Sequence, residues 1–273
     1  MQNSTKPIKR QQGFTLIELV IVIVLLSVMA VSIATLFRDT TEGYMQAESR
    51  IGMASSARLA LERVGREVRE AMPNSIRVNG GNNCVEFVPI EAATRYTDLP
   101  TTSPGTTINV VEQDASTKIS GLNTSNLFVM VIPLNTNEAY NAAAGHYSAV
   151  SSFSKLGNNE TQVTISSNRF RRNSPQDRIF FVRQPVSFCV VGNNLNRYDN
   201  YGFNTSQPAP ASMGTPTLVL DRVLLSSNGN PVDVFNYDSG SLNRSALLVI
   251  ELYLDGRKEF INLEHEVHVR NFP

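Results

Sequence analysis

No tryptophan occurs in this chain, and cysteine occurs only at Cys84 and Cys189. Two cysteines permit at most one intrachain bridge, which has meaning only in an oxidising compartment. Charge of one sign is not in excess: the formal net charge is +0, so no global field draws the chain to nucleic acid or to an acidic substrate. No Gly-x-Ser-x-Gly appears and no glycine-rich phosphate loop follows a strand, so nothing supports a nucleophilic or nucleotide-using enzyme. We expect no enzyme activity and no cofactor. Acid is missing from the first thirteen residues, which hold Lys6, Lys9 and Arg10. Taking those three from the 24 basic residues leaves 21 against 24 acidic ones, a mildly acidic remainder. Proline is missing between Gly13 and Pro73.

What is present is unevenly spread. Apolar residues make up 41% of the 273 positions, and one block, residues 14–37 (FTLIELVIVIVLLSVMAVSIATLF), is almost wholly apolar, with Glu18 as its single charge. A helix rises about 1.5 Å per residue, so about 20 apolar residues cross a bilayer core, and this block is long enough. The basic flank precedes it, and basic flanks stay cytoplasmic, which places the rest of the chain outside. A secretory signal offers one reading, with Ser32-Ile33-Ala34 as its cleavage site, but the block is too long for it and carries an acid near its start. A plain signal anchor explains length and orientation. It leaves unexplained why Gly13 directly precedes Phe14 and why a carboxylate sits in the apolar run, where an ionised acid costs about 2–3 kcal/mol at mid-membrane and less near the edge.

The segment Lys9-Arg10-Gln11-Gln12-Gly13-Phe14-Thr15-Leu16-Ile17-Glu18 resembles the prepilin-peptidase site of type IV pilins and of type II secretion pseudopilins. The resemblance implies cleavage between Gly13 and Phe14 on the cytoplasmic side, N-methylation of Phe14, and pairing of Glu18 with the Phe14 ammonium of a neighbouring subunit. A buried carboxylate seeks a positive charge, and a freed N-terminus supplies one. Many major pilins carry a proline in the membrane half of this helix; its absence here counts against local melting, although Gly43, Gly52 and Gly65 could lend some flexibility.

Beyond Phe37 the pattern turns amphipathic. Ile51, Ala54, Ala57, Leu61, Val64, Val68 and Ala71 recur at three- and four-residue steps, with Glu62–Arg66 and Arg63–Glu67 spaced to pair along the surface. Pro73 closes the pattern, predicting one helix over 14–72, about 90 Å at the standard rise. Short apolar runs at 84–90, 127–132, 178–191, 217–225 and 246–254 predict strands, and the polar stretches 100–126, 134–178 and 193–216 predict long loops. Asp255-Gly256 predicts a two-residue hairpin that pairs Leu254 with Arg257, setting Ile250 opposite Ile261, Leu248 opposite Leu263 and Ala246 opposite His265. That apolar face is expected to pack on the amphipathic half of the helix.

His265 and His268 suggest a metal site, but residues three apart on a strand point to opposite faces, so no metal is expected; His265 reads as half-buried and His268 as surface. His146 stands alone in an Ala/Gly/Tyr loop. Arg169-Phe170-Arg171-Arg172, with Arg178 and Arg183, is either a solvated loop paired with acids or, less readily, a docking or DNA-binding stretch. The sequons at Asn123, Asn159 and Asn204 are expected by chance in loops rich in Asn and Thr. A disulfide between Cys84 and Cys189 is expected in preference to two separate buried thiols, and it would close about a hundred residues, worth up to roughly 4–5 kcal/mol. Major pilins usually staple a C-terminal loop instead.

The runs LERVGREVREAMPNSIRV, RQPVSFCV and HEVHVRNFP resemble MshO-type minor pilins of the mannose-sensitive haemagglutinin (MSHA) pilus. The expected fold class is therefore α+β and type IV pilin-like: a leader (1–13), a membrane or filament-core half-helix (14–37), an amphipathic half-helix (38–72) and a β-rich, mainly antiparallel head (73–273). The resemblance implies a single-pass inner-membrane location with the head in the periplasm and, after assembly, a place at the pilus tip or base. The implied partners are prepilin peptidase, other minor pilins and the major pilin, an inner-membrane assembly platform and membrane lipid, with DNA binding disfavoured. A minor pseudopilin of a type II secretion system is the alternative, and an anchored periplasmic binding protein a third reading.

Overall fold

The computed structural model describes residues 13–112, 119–157, 159–227, 229–240, 245–256 and 260–269. Helix α1 spans Leu16–Arg69, 54 residues without a break. By contact density the chain divides into two compact units, Met1–Ile51 and Gly52–Pro273.

In the first unit the apolar side chains of α1 from Leu16 to Phe37 are exposed on every side. A helix apolar all round needs a membrane or an assembled core to cover it. In the second unit α1 buries Ala57, Ala60, Leu61, Val64, Gly65 and Val68 along one face. Ile51, predicted for that face, is instead 69% exposed. The helix ends at Arg69, short of the expected residue 72, because extended pairing captures the chain first. Ile90 N–H donates to Glu70 O (2.9 Å), Met72 N–H donates to Val88 O (2.7 Å), and Ala71 bridges Pro89.

Two short strands follow, β1 (Arg77–Val78) and β2 (Cys84–Phe87). The chain then builds a closed antiparallel barrel from β3 (Ile90–Asp98), β4 (Gly105–Val111), β5 (Leu127–Met130), β6 (Tyr147–Gly157), β7 (Glu160–Asn168) and β8 (Arg178–Arg183), in the order β3-β4-β7-β6-β5-β8. A one-turn helix, α2 (Thr136–Tyr140), lies between β5 and β6, capped by the Asn135 side chain. Much of what reads as loop in the sequence is therefore strand. In β7, Thr161, Val163 and Ile165 point inward and polar residues alternate outward, the period-2 pattern of a half-buried strand. The barrel interior is filled by Ile108, Val110, Val129, Val163, Ile179, Phe181 and neighbours. Outside the barrel, Met130, Phe180 and Val182 pack with Met72, Val88 and Tyr140.

After the barrel, β9 (Val186–Val191), β10 (Asn194–Tyr198) and β11 (Thr217–Leu220) complete a sheet of order β1-β2-β9-β10-β11. The remaining strands are β12 (Val223–Leu224), a small hairpin of β13 (Ser226–Ser227) and β14 (Asn230–Pro231), β15 (Phe235–Asp238), β16 (Ala246–Asp255) and β17 (Phe260–Val269). In the second sheet β16 pairs with β12 and β15 and also with β17. The buried face of α1, Val85 and Phe188 of the first sheet, and Leu248, Ile250 and Leu252 of the second share one core.

The C-terminal hairpin forms with a different register from the two-residue turn. Asp255 faces Phe260, Leu254 faces Ile261, Leu252 faces Leu263 and Ile250 faces His265. Arg257, the predicted partner of Leu254, lies outside the described residues. The shift of four residues keeps every side chain on its predicted face and sets Val267 and Val269 opposite Leu248 and Ala246, where all four are buried. A two-residue turn would carry both valines past the end of β16. Extra apolar burial outweighs the Asp-Gly turn preference.

Candidate functional site at the N-terminal helix

The start of α1 is set by Thr15. Its Oγ1 accepts the Glu18 N–H (3.3 Å), and its carbonyl accepts the Leu19 N–H (3.2 Å). Thr15-Leu16-Ile17-Glu18 has the Thr-x-x-Glu spacing of a capping box, and an acid in the first turn also suits the positive end of the helix dipole. Gly13 and Phe14 precede the helix. Nothing lies within 4 Å of the point where a Gly13 side chain would begin, and Phe14 is 80% exposed.

Along the apolar stretch the hydroxyl groups turn back on the helix itself. Ser27 Oγ donates to Ile23 O (2.6 Å), Ser32 Oγ to Val28 O (3.1 Å) and Thr35 Oγ1 to Ser32 O (2.8 Å). Hydroxyls satisfied in this way can lie in hydrocarbon without a water partner. Glu18 differs: among the described residues its carboxylate has no hydrogen-bond or ion-pair partner. Between Leu16 and Phe37 it is the one polar side chain whose bonding capacity is unspent.

In the second unit, Cys84 and Cys189 are joined (S–S 2.16 Å, separation 105) as directly opposed residues of β2 and β9, the strands on either side of the barrel. His265 is half-buried and His268 exposed. Of the two helical pairs, Arg63–Glu67 forms (3.3 Å), with Glu67 also accepting from Arg197 (2.9 Å), while among the described residues Glu62 and Arg66 make no ion pair. The arginine stretch is dispersed. Arg172 pairs with Glu138 (2.9 Å), Arg183 pairs with Glu91, and Phe170 is buried in the barrel core, unavailable for stacking on a base.

Two polar clusters escaped sequence reasoning, because no motif links their members and the first also draws Tyr201 from a distant part of the chain. Glu86 is fully buried. It accepts from Arg77 Nε (2.7 Å) and from Tyr201 Oη (3.1 Å), while Arg77 stacks on the Tyr140 ring (3.7 Å) and donates to Asn204 O and Thr205 O. Burial pushes Glu86 above its ordinary value although Arg77 and Tyr201 pull it down, and burial also pushes Tyr201 far up. Near α2, buried His146 contacts Glu138 (3.4 Å) and Val131 O (3.3 Å). Burial holds His146 below its ordinary value against the pull of Glu138.

One described helix is long and apolar enough to cross a membrane, and it is fully unburied there. With the α+β layout, this fits a membrane-anchored, single-pass chain. The family model of the prokaryotic N-terminal methylation motif matches residues 8–34, the leader end and the apolar start of α1. No curated protein and no solved structure matches the chain.

Proposed function

We propose that this chain is a minor type IV pilin of the MSHA type, cleaved between Gly13 and Phe14, N-methylated on Phe14, and built into a filament through its apolar half-helix. The supporting observation is Glu18, a carboxylate without a partner among the described residues, on an otherwise apolar, self-satisfied helix surface. A Phe14 ammonium from a neighbouring subunit gives it a counter-ion inside a water-free bundle, where an unpaired charge is costly. The leader stays cytoplasmic and the disulfide-bonded head stands in the periplasm. Low-copy incorporation with other minor pilins then initiates or caps the filament.

Mass spectrometry of the mature N-terminus tests this directly: the expected terminal residue is N-methyl-Phe14, and a chain starting at Met1 or beyond Phe37 refutes it. Gly13→Ala should leave insertion intact and impair cleavage. Glu18→Val should be inserted and cleaved yet be depleted from sheared filaments; wild-type levels there would remove the pairing role. A minor pseudopilin of a type II secretion system shares this N-terminus. Deletion separates the two, since a pilin loss removes surface pili and a pseudopilin loss removes secreted enzymes.

A further inference from the structure

Strand β17 is a long edge. Its ten residues pair with β16 in unbroken register, and among the described residues no strand lies on its other side. Such edges present a row of unpaired N–H and C=O groups, and folded chains usually blunt them with proline, lysine or a bulge. Phe260–Val269 contains none of these. Beside the edge runs a groove lined by Leu59, Glu62, Arg63, Arg66 and Arg69 of α1 and by His265 of β17. His265 lies on the inner face of β17, opposite Ile250, and its buried Nε2 has no hydrogen-bond partner. Arg63 is engaged by Glu67, but Arg66 and Arg69 are exposed and, among the described residues, have no ion-pair partner. Glu62 is the one acid on the groove wall. The outer face of β17 carries Glu264 and Glu266.

We propose that the free edge of β17 takes up an extended acidic segment of another polypeptide as an added strand, its inward side chains reaching Arg66 and Arg69 in the groove. Main-chain pairing supplies the attachment, and alternation supplies the selection. Inward positions of the incoming strand meet arginine. Outward positions lie beside Glu264 and Glu266, where acids are disfavoured. The preferred segment alternates acidic and neutral residues. This inference draws on neither leader processing nor filament formation.

The test uses the full chain in its own membrane, with the photoreactive residue benzoylphenylalanine placed at Glu62 or at Glu266. After irradiation, the expected adduct maps by mass spectrometry to an acidic, extended segment of a second polypeptide. Its yield should fall at least tenfold in Arg66→Glu/Arg69→Glu and stay unchanged in Arg169→Glu. Absence of an adduct, an adduct within the same molecule, one to a neutral or basic segment or to lipid, or one that survives the charge reversal overturns the proposal. Retention of the Cys84–Cys189 bridge on a non-reducing gel reports that the variant has folded. If it has not, Arg66→Gln/Arg69→Gln gives the same reading with a milder change.

Discussion

Replacing both bridged cysteines with alanine should be among the most damaging changes open to the head. The bridge spans a separation of 105 residues, and the loop-closure relation assigns a crosslink of that span about 5 kcal/mol at 25 °C. Domains are stable by about 5–15 kcal/mol in total, so the loss is a third or more of what is available. The sulfurs also pack with Tyr198 and Met213, and their removal leaves a void that adds to the cost. Urea unfolding of the full chain in mild detergent is the assay, followed by far-UV circular dichroism and by tyrosine fluorescence, the chain having no tryptophan. With a urea slope of about 2–3 kcal/mol per molar, the Cys84→Ala/Cys189→Ala midpoint should lie about 2 M below that of the oxidised wild type. Reduced wild type should track the double variant. A midpoint within about 0.3 M of wild type would show that the unfolded chain is already held together by other means, and the loop-closure reasoning would fail.

Other perturbations have equally definite outcomes. Arg77→Met leaves the buried Glu86 carboxylate without its cation and should cost about 3–5 kcal/mol by the same urea assay. Because burial raises the folded Glu86 value, the folded state binds the proton more readily than the unfolded one; this group's contribution to stability is therefore greatest in mild acid and is lost as pH rises from about 4.5 through the raised value. Glu86→Gln should remove that part of the slope, and an unchanged pH profile would contradict the assignment. A Cβ at Gly65 would meet His265 Nε2 at 2.9 Å and Val267 Cγ2 at 3.3 Å, so Gly65→Val should destabilise the head by about 1–3 kcal/mol. Gly52→Ala enters open space and should leave the stability unchanged or raise it by up to about 1 kcal/mol.

The helix and its exposed half were legible because composition alone dictates them: a run with one charge admits few alternatives. The buried stripe from Ala57 to Val68 was legible from its 3.6-residue period, yet that period does not say where burial begins, and Ile51 lies beyond it. The barrel was not legible. Its strands are short or carry Ser and Thr outward, so Thr161-Gln162-Val163-Thr164-Ile165 reads as polar loop until alternation is weighed above composition. The hairpin existed as expected, but its register was decided by Val267 and Val269, residues outside the local turn. At the N-terminus, Thr15 as cap to Glu18 follows from the Thr-x-x-Glu spacing and was available from the letters alone. The Arg77–Glu86–Tyr201 cluster was not, since no local pattern predicts partners that meet only once the sheet has formed.

Phe87 and Val186 stand opposite each other at the point where the chain leaves β2 and at which it returns into β9. The two strands already make a hairpin stem, and a short turn would close it. Everything between them is in effect a cassette seated on a pre-built socket, with Met72 as part of the greasy patch it must cover. A grafted module whose two ends lie side by side could replace it while the sheet that carries it stays paired, so the segment between these two strands is free to diversify.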